Sequence, residues 1–428
     1  MVKKKWFHQT WVIVALSFLM VFIVLGFCSY AKSLYMVAIC DALDISRSAY
    51  SFNDSCRYIA TSVVSIFFGS LISRFGMKRL IMAGFTSLII SSFLYSIATN
   101  VGVIYLGGIF LGIGMAWTTT TMVGAITNKY CKRNRGTITG MILASNGIGG
   151  ALAVQVLSPI IYDDSNVFGY RNAYRLVCII LAIVAMIIFI LFRENLQDDG
   201  EKHIEHKKKT RGHIWTGIAY NEVIKKGYFY GCLICVFLTG TILQGMAGIG
   251  APHLKDVGLE VEFVATILSV YSIMLTVFKF FVGVIYDRFG IRVISNLCLT
   301  AAIAAMFILG SVSDSSSGML CACLYAVFAP LALPLETVMI PIYVSEFFGE
   351  KSNNKILGIF VSVNTAGFAM GAPIANFCFD AFGSYNVALY GAGVLMILVT
   401  FGMQLVTNAA EKQKRLLEKT EVASSYEP

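Results

Sequence analysis

Long apolar runs separated by short polar segments form the main pattern of this 428-residue chain. Each run is long enough to cross a bilayer as a helix, which takes about 20 residues. Helices are expected rather than strands, because the runs are unbroken and a chain in lipid must satisfy its backbone polar groups internally. The twelve runs are 11–37, 53–73, 79–98, 102–127, 137–161, 174–192, 228–250, 262–286, 293–313, 317–344, 354–380 and 384–406.

The composition agrees with this pattern. Hydrophobic residues make up 57% of the chain and charged residues only 13%. A soluble domain averages about 25% charged residues, whereas a protein that a lipid bilayer surrounds needs far fewer. The sequence therefore predicts an all-α integral membrane protein with twelve transmembrane helices.

The basic residues predict how these helices are oriented. Lys and Arg accumulate in the cytoplasmic loops of membrane proteins, and 26 of the 33 here fall on one side of the predicted topology. That side also carries both ends of the chain, as an even number of spans requires. We expect a multi-pass protein of the cell membrane with both termini in the cytoplasm. The same bias explains the net charge of +9, so we predict no nucleic-acid partner.

One long polar segment, 193–227, separates the first six predicted spans from the last six. Its composition is typical of a solvated linker. We therefore predict an N-terminal six-helix half at 1–192, a cytoplasmic linker at 193–227, a C-terminal six-helix half at 228–406 and a cytoplasmic tail at 407–428.

A motif is repeated after the second and the eighth span. GSLISRFGMKR begins at Gly69 and GVIYDRFGIR begins at Gly283, an offset of 214 residues, which is half the chain. Glycine permits tight turns and close helix approach, and an aspartate at a helix end can pair with an arginine or cap the N–H groups of a neighbouring helix. We predict a cytoplasmic gate formed by Gly69, Arg74, Gly76, Arg79, Gly283, Asp287, Arg288, Gly290 and Arg292.

This motif is characteristic of the major facilitator superfamily, which the whole chain resembles. The resemblance implies two pseudo-symmetric six-helix bundles that move a solute by alternating access. The first copy departs from the pattern, because Ser73 stands where the second copy has Asp287. The chain has no GxxxxGK sequence followed by Ser or Thr, so ATP is not the expected energy source. We predict no cofactor, no metal site and no enzymatic activity.

Ionisable residues inside predicted spans are candidates for function, because a charge in hydrocarbon is costly. Lys279 lies eight residues before Asp287, which places it about 12 Å inside the end of its span. At that depth a lysine needs a carboxylate partner or a wet cavity that receives an anionic substrate. The partner would be Glu336, at a similar depth in the tenth span. Both interpretations stay open, and they can alternate during a transport cycle.

Glu336 lies among Pro330, Pro334 and Pro341, so we expect its span to bend near it. Its carboxyl group is predicted either to carry a coupling proton or to act as a fixed counter-ion of Lys279. All five histidines are expected in tails or loops, which excludes a histidine relay inside the membrane.

Four further polar residues are candidates for the substrate site. Lys32 lies in the outer half of the first span, and Asn146 and Asn364 lie inside the fifth and eleventh spans. Arg57 lies near the outer end of the second span, where we expect an interfacial anchor or, alternatively, a ligand for the substrate. Thr118 to Thr121 are further candidates for a polar pocket.

Within the superfamily the chain is similar to the monocarboxylate transporters and the related bacterial oxalate–formate antiporters. The runs SYAKS, SRSAYS, YLGGIFLGIG, KRNRGTITGMILASNGIG and FGYRNAYRL carry this similarity, within residues 10–195. It implies that Lys32 binds substrate and is linked to protons, and that Lys279 replaces a substrate-binding arginine. Lysine keeps the charge but loses the bidentate fork. The chain has Leu275 where monocarboxylate transporters have an aspartate, and no lysine near Asn364, which makes a dicarboxylate such as oxalate a less favoured substrate.

We therefore predict a monomeric secondary transporter of a small organic anion, most simply a monocarboxylate, coupled to protons through Glu336 and Lys32 or working by anion exchange. An alternative is a transporter of another small solute, such as an amino acid, a sugar or a drug. A membrane sensor or a membrane enzyme is a further alternative. The central linker argues against it, because it is too short to form a soluble catalytic or signalling domain.

Overall fold

A computed structural model describes residues 2–30, 32–45, 47–131, 134–161, 168–192 and 217–424. Within these ranges, helix is the only regular secondary structure. A chain rich in unbroken apolar segments folds this way because each helix satisfies its own backbone hydrogen bonds. The fold class predicted from the sequence is confirmed.

The N-terminal half contains helices of very different length, because several of its spans are interrupted. A π-helical turn, Gly26–Tyr30, interrupts the first span. The helices are α1 (Val2–Leu25), α2 (Lys32–Leu43), α3 (Arg47–Ile66), α4 (Phe68–Phe75), α5 (Met77–Ser96), α6 (Val101–Thr118), α7 (Thr120–Tyr130), α8 (Arg135–Ile161) and α9 (Gly169–Leu191).

The C-terminal half follows a short helix at the end of the central segment. Its last helix is the longest of the described chain and ends well past residue 406, where the last span was predicted to end. The helices are α10 (Tyr220–Val223), α11 (Gly227–Asp256), α12 (Val261–Phe289), α13 (Ile291–Gly310), α14 (Ser316–Ala332), α15 (Pro334–Thr337), α16 (Met339–Phe348), α17 (Asn353–Phe382) and α18 (Asn386–Ser424).

Eleven stretches of the described chain are long and apolar enough to cross a membrane. The pair α3 and α4 adds a twelfth, although it is bent by 59°. Each of the twelve predicted runs thus corresponds to a helix or to an interrupted helix. The chain is a multi-pass membrane protein.

The tenth span is interrupted where its prolines predicted a bend. Leu333 separates α14 from α15, and Val338 separates α15 from α16. Pro334 is the first residue of α15, a position that proline favours because its missing N–H would have no helical partner there. The single turn between the two interruptions carries Glu336.

Two seams join the halves. In the first seam α8 packs on α12, and a Cβ at Gly283 would collide with the carbonyl oxygen of Gly136. In the second seam α3 and α4 pack on α17, where the Ser62 hydroxyl donates to the carbonyl of Ser362 at 3.0 Å. These contacts lie near the ends that carry the repeated motif, which we call the motif side.

Residues 193–216 of the predicted linker lie outside the described residues, and Ile218 then donates its N–H to the carbonyl of Phe348 at 3.0 Å.

The expectation that every histidine lies in a tail or loop is wrong for His253. It lies in α11, is 2% exposed and forms a 3.0 Å hydrogen bond with the carbonyl of Leu309. The helix continues to Asp256 with Pro252 inside it, six residues past the predicted end of this span.

Candidate functional site

A cavity of about 610 Å³ lies between the two halves. Both halves contribute its walls, as expected for a solute site between two bundles. The polar residues that line it are Ser29, Tyr50, Asp54, Arg57, Tyr58, Thr61, Thr119, Thr120, Thr121 and Asn146 from the N-terminal half and Gln244, Tyr271, Lys279, Glu336, Thr337, Asn364 and Thr365 from the C-terminal half.

Lys279 lies on α12 at the wall of this cavity and is 5% exposed. Its backbone lies against α8, where a Cβ at Gly140 would be 2.5 Å from the Lys279 carbonyl oxygen. Glu336 is near enough to attract the ammonium group electrostatically. In the described part of the chain, however, no carboxylate lies within the 4.0 Å of an ion pair with Lys279. The direct structural pair between the two is therefore not formed in this conformation.

Glu336 lines the same cavity and is 6% exposed. Its Oε1 atom has no hydrogen-bond partner among the described residues. Its backbone carbonyl accepts a hydrogen bond from the Asn364 amide at 3.3 Å, which ties the interrupted tenth span to α17. The predicted site residue Asn364 thus lines the cavity and also supports the turn that holds Glu336.

Arg57 does not anchor the protein at the membrane interface, so that expectation is wrong. Because α3 begins ten residues earlier, Arg57 lies about 15 Å from its start, is 6% exposed and lines the cavity. Its Nη2 atom lies 3.2 Å from Asp54 Oδ1, and its Nη1 donates to Ser29 Oγ at 3.1 Å. The guanidinium carbon is 4.5 Å from the centroid of the Tyr58 ring. Asp54 therefore largely neutralises this cation.

Asp54 was missed in the sequence, although its spacing to Arg57 was a usable signal. Residues three apart on a helix lie on the same face, so an Asp followed by an Arg at that spacing predicts a pair. Tyr58 and Gln244 were also missed, and the Gln244 amide donates to the Tyr58 hydroxyl across the two halves at 3.3 Å.

The structure places the two remaining predicted site residues differently. Asn146 lies on α8, is 3% exposed and lines the cavity. Its side chain makes no hydrogen bond with any described residue. Lys32 is the first residue of α2, directly after the interruption of the first span, and its side chain lies outside the described part of the structure.

The second copy of the motif connects the halves through Asp287. Its Oδ1 accepts the N–H of Gly136 at 3.0 Å, and its Oδ2 accepts the N–H and the hydroxyl of Thr137 at 2.7 and 2.6 Å. Both residues belong to the first turn of α8, where the N–H groups have no partner within the helix. Of the two roles considered for this aspartate, it therefore takes the capping role. Gly290 has φ +82° at the turn that follows, a conformation that favours glycine.

The first copy has the same backbone shape but not the same contact. Gly76 has φ +81°, and a Cβ at Gly69 would collide with the backbone of Lys355 in α17. Ser73, however, donates only to the carbonyl of Ser70 in its own helix at 2.9 Å. The residue before α17, Ser352, makes no side-chain cap either. The second seam therefore lacks the cap that joins the first.

The motif arginines have separate roles. Arg292 forms an ion pair with Glu411 of α18 at 3.0 Å and donates to Asn408 at 2.8 Å. Nearby, Lys414 of α18 pairs with Glu346 at 3.4 Å. Arg74 and Arg288 each lie over the ring of the next residue, a phenylalanine, and Arg79 makes no hydrogen bond or ion pair with the described residues.

Comparison with known proteins agrees with this architecture. A model of the Major Facilitator Superfamily matches residues 10–337 and 252–425. The chain belongs to the Major Facilitator Superfamily. The solved transporter FucP in its outward conformation aligns with a TM-score of 0.71 at 14% identity, covering 93% of this chain and 99% of that one. The proton:xylose symporter XylE also gives 0.71, at 15% identity, over 94% and 96% of the two chains. At these identities the likeness shows the fold.

Relatives within this superfamily include transporters of different solutes. The sialic acid transporter NanX of Escherichia coli is 20% identical over 348 residues, which are 80% of this chain and 79% of that protein. The nitrite extrusion protein of Bacillus subtilis is 29% identical over 169 residues, 40% of each chain. The chain is accordingly a secondary transporter of small solutes. The closer resemblance to monocarboxylate transporters stays a prediction.

Proposed function

We propose that this superfamily member transports an organic anion, which binds in the central cavity against Lys279. The observation that carries the proposal is the contrast between the two buried cations of the cavity. Arg57 has Asp54 at 3.2 Å, whereas Lys279 has no ion-pair partner among the described residues. A buried cation without a fixed counter-ion is costly, so the site favours a ligand that brings a negative charge.

The relatives support an anionic solute. Sialic acid and nitrite, named for two of them, are both anions at neutral pH. The charges that line this cavity also favour an acid over a neutral sugar, because Lys279 would bind the acid group while Asp54 leaves little free charge on Arg57. The resemblance to monocarboxylate transporters implies the same class of substrate.

Alternating access would use the two seams. The halves contact each other through Gly283, Ser62 and Asp287 on the motif side, which the distribution of Lys and Arg assigns to the cytoplasm. We propose that this conformation opens its cavity to the outside and that separation of the seams opens it to the cytoplasm. Residues 1–192 and 228–406 would then be the two moving halves, with the linker and both termini in the cytoplasm.

The coupling has two alternatives, which differ in the role of Glu336. In proton symport its carboxyl group takes up a proton when the anion binds to Lys279, so the cavity never holds an uncompensated charge. In anion exchange Glu336 stays a fixed counter-ion, which attracts Lys279 when the site is empty. Lys32 is a proposed second participant on the resemblance alone.

Uptake into proteoliposomes tests the proposal. Lys279→Ala should abolish the saturable uptake of an organic anion, and Lys279→Arg should retain part of it because the charge is kept. Lys255→Ala is the matched control, since Lys255 lies on α11 outside the cavity lining. Uptake that survives both Lys279→Ala and Lys32→Ala would show that these central cations do not bind the substrate.

A further inference from the structure

We infer that the transported anion is a hydroxylated acid of about the size of a sugar acid, and not a two- or three-carbon monocarboxylate. This inference rests on the proposed function, because it takes Lys279 as the site of the acid group. It adds the size and the polar character of the rest of the molecule. Two independent observations carry it: the volume of the cavity and the unpaired polar side chains in its wall.

The cavity is large for a short acid. A volume of about 610 Å³ corresponds to roughly 20 water molecules at about 30 Å³ each. A three-carbon acid has about six non-hydrogen atoms. If each atom takes the place of one water molecule, such an acid would displace only about a third of that water. Pockets of about 300–1,000 Å³ are typical of ligands with many more atoms. A larger acid would fill more of this volume and offer more atoms to its polar wall.

The wall contains polar side chains that the protein itself leaves unpaired. The side-chain oxygens of Thr121, Asn146 and Thr337 are buried and have no hydrogen-bond partner in the described residues, and all three residues line the cavity. Burial without a partner is unfavourable for such groups. Rotation about a side-chain bond turns a hydroxyl, or exchanges the amide oxygen and nitrogen, so that each can meet a ligand.

Other buried threonines behave differently. Thr118, only three residues before Thr121, donates its hydroxyl to the carbonyl of Gly114 at 2.8 Å, and Thr127 donates to Val123 at 2.9 Å. This local bond is the usual way for a helix to satisfy a threonine. Thr119 and Thr365 of the cavity wall also make this local bond, so its absence distinguishes Thr121 and Thr337 from their neighbours in the wall.

The unpaired groups come from both halves. Thr121 and Asn146 lie on α7 and α8, and Thr337 follows Glu336 in α15. An acid held by Lys279 and carrying several hydroxyl groups can donate to Glu336 and exchange hydrogen bonds with both walls. A two- or three-carbon acid such as lactate offers at most one hydroxyl group and would leave most of these groups unpaired, and binding sites built to hydrogen-bond a hydroxyl strongly reject ligands without it.

Thermal-shift titration of the purified full-length protein with three probes tests the inference, because a bound ligand raises the melting temperature. We expect D-gluconate or D-glucuronate to stabilise the protein at concentrations at which lactate and D-glucose do not. If lactate stabilised it as well as the sugar acids, the size inference would be overturned while the anion proposal stood. If D-glucose bound as well as the sugar acids, and Lys279→Ala left all binding unchanged, the proposed function itself would be wrong.

Substitutions in the cavity wall test the binding of hydroxyl groups by the unpaired threonines separately from the binding of the acid group by Lys279. Thr121→Val and Thr337→Val should each weaken glucuronate binding by up to about tenfold, the effect of one lost hydrogen bond, and should leave the weak binding of lactate unchanged. Thr118→Val is the matched control for Thr121→Val, because both residues are fully buried and Thr118 lies outside the cavity lining. Equal affinity for glucuronate in wild-type protein and both wall variants, with unchanged melting temperatures of the free proteins, would overturn the inference.

Discussion

The carboxylate of Asp287 holds both the backbone N–H and the hydroxyl of Thr137, at 2.7 and 2.6 Å. The two residues belong to different halves, so this cap is also a contact between them. A carboxylate at the start of a helix is favoured by the positive end of the helix dipole. The contact must break whenever the motif side opens.

Asp287→Ala should shift the protein toward the conformation that is open on the motif side. Hydrogen bonds to a charged group contribute about 1.5–3 kcal/mol each, so we expect at least a tenfold change in the ratio of the two conformations. Distances between spin labels on the two halves at the motif side measure it. Ser73→Ala is the matched control, because Ser73 bonds only within its own helix; identical distance distributions for the two variants would contradict this role of Asp287.

Ser73→Asp should have the opposite effect. Gly69 packs on the first turn of α17 much as Gly283 packs on the first turn of α8, and residue 73 follows Gly69 by the spacing that separates Asp287 from Gly283. The new carboxylate would cap a helix start that has no side-chain cap. We expect closure of the motif side and slower uptake, checked by the same labels and by proteoliposome rates. Faster uptake with more opening would argue against a cap at this position.

Asp54 and Arg57 should be coupled in stability. Removing Asp54 leaves a buried guanidinium with less compensation, and removing Arg57 leaves a carboxylate beside the cavity. The sum of the destabilisations caused by Asp54→Asn and by Arg57→Gln should therefore exceed the destabilisation of the double variant by about 1 kcal/mol. This coupling is within the range for residues in contact. Thermal unfolding of the single and double variants measures the cycle. Simple additivity would show that the pair contributes nothing to the folded state.

Glu336→Gln should remove the pH dependence of anion binding. A proton on Glu336 cancels the negative charge nearest Lys279, so anion affinity in the wild-type protein should rise as the pH falls. In the variant the charge is absent at every pH, and affinity should stay constant. Binding titrations across a pH series measure this, and counterflow exchange, which needs no net proton movement, should persist. A variant with the same pH profile as the wild type would exclude Glu336 as the coupling group.

The apolar pattern could predict the spans because most helices have at least one face against lipid. It misplaced Arg57 because the start of α3 is polar, although Tyr50, Asn53 and Arg57 are buried against protein. Hydropathy detects contact with lipid and does not detect burial against protein. The capping role of Asp287 was one of two alternatives in the sequence, and only the position of α8 in space decides between them.

The remaining part of the site depends on contacts that no local pattern encodes. The amide of Asn364 finds the carbonyl of Glu336 because interruptions at Leu333 and Val338 isolate a single turn between them. Prolines predicted a bend there, although not which carbonyl it would present. The unpaired threonines could not be predicted either, since Thr118 and Thr121 look alike in sequence.

Helix α18 continues past the last predicted span as an arm, whose first part packs on the C-terminal half through Ala410 and Leu417. It runs about 27 Å beyond residue 406 at the rise of an α-helix, and the pairs of Glu411 with Arg292 and of Lys414 with Glu346 fasten its base. An arm clamped in this way rotates with its bundle, so its tip sweeps a longer arc than any point near the axis. A fluorophore on that arm, paired with one on the N-terminal half, would amplify the rocking of the transporter into a measurable displacement.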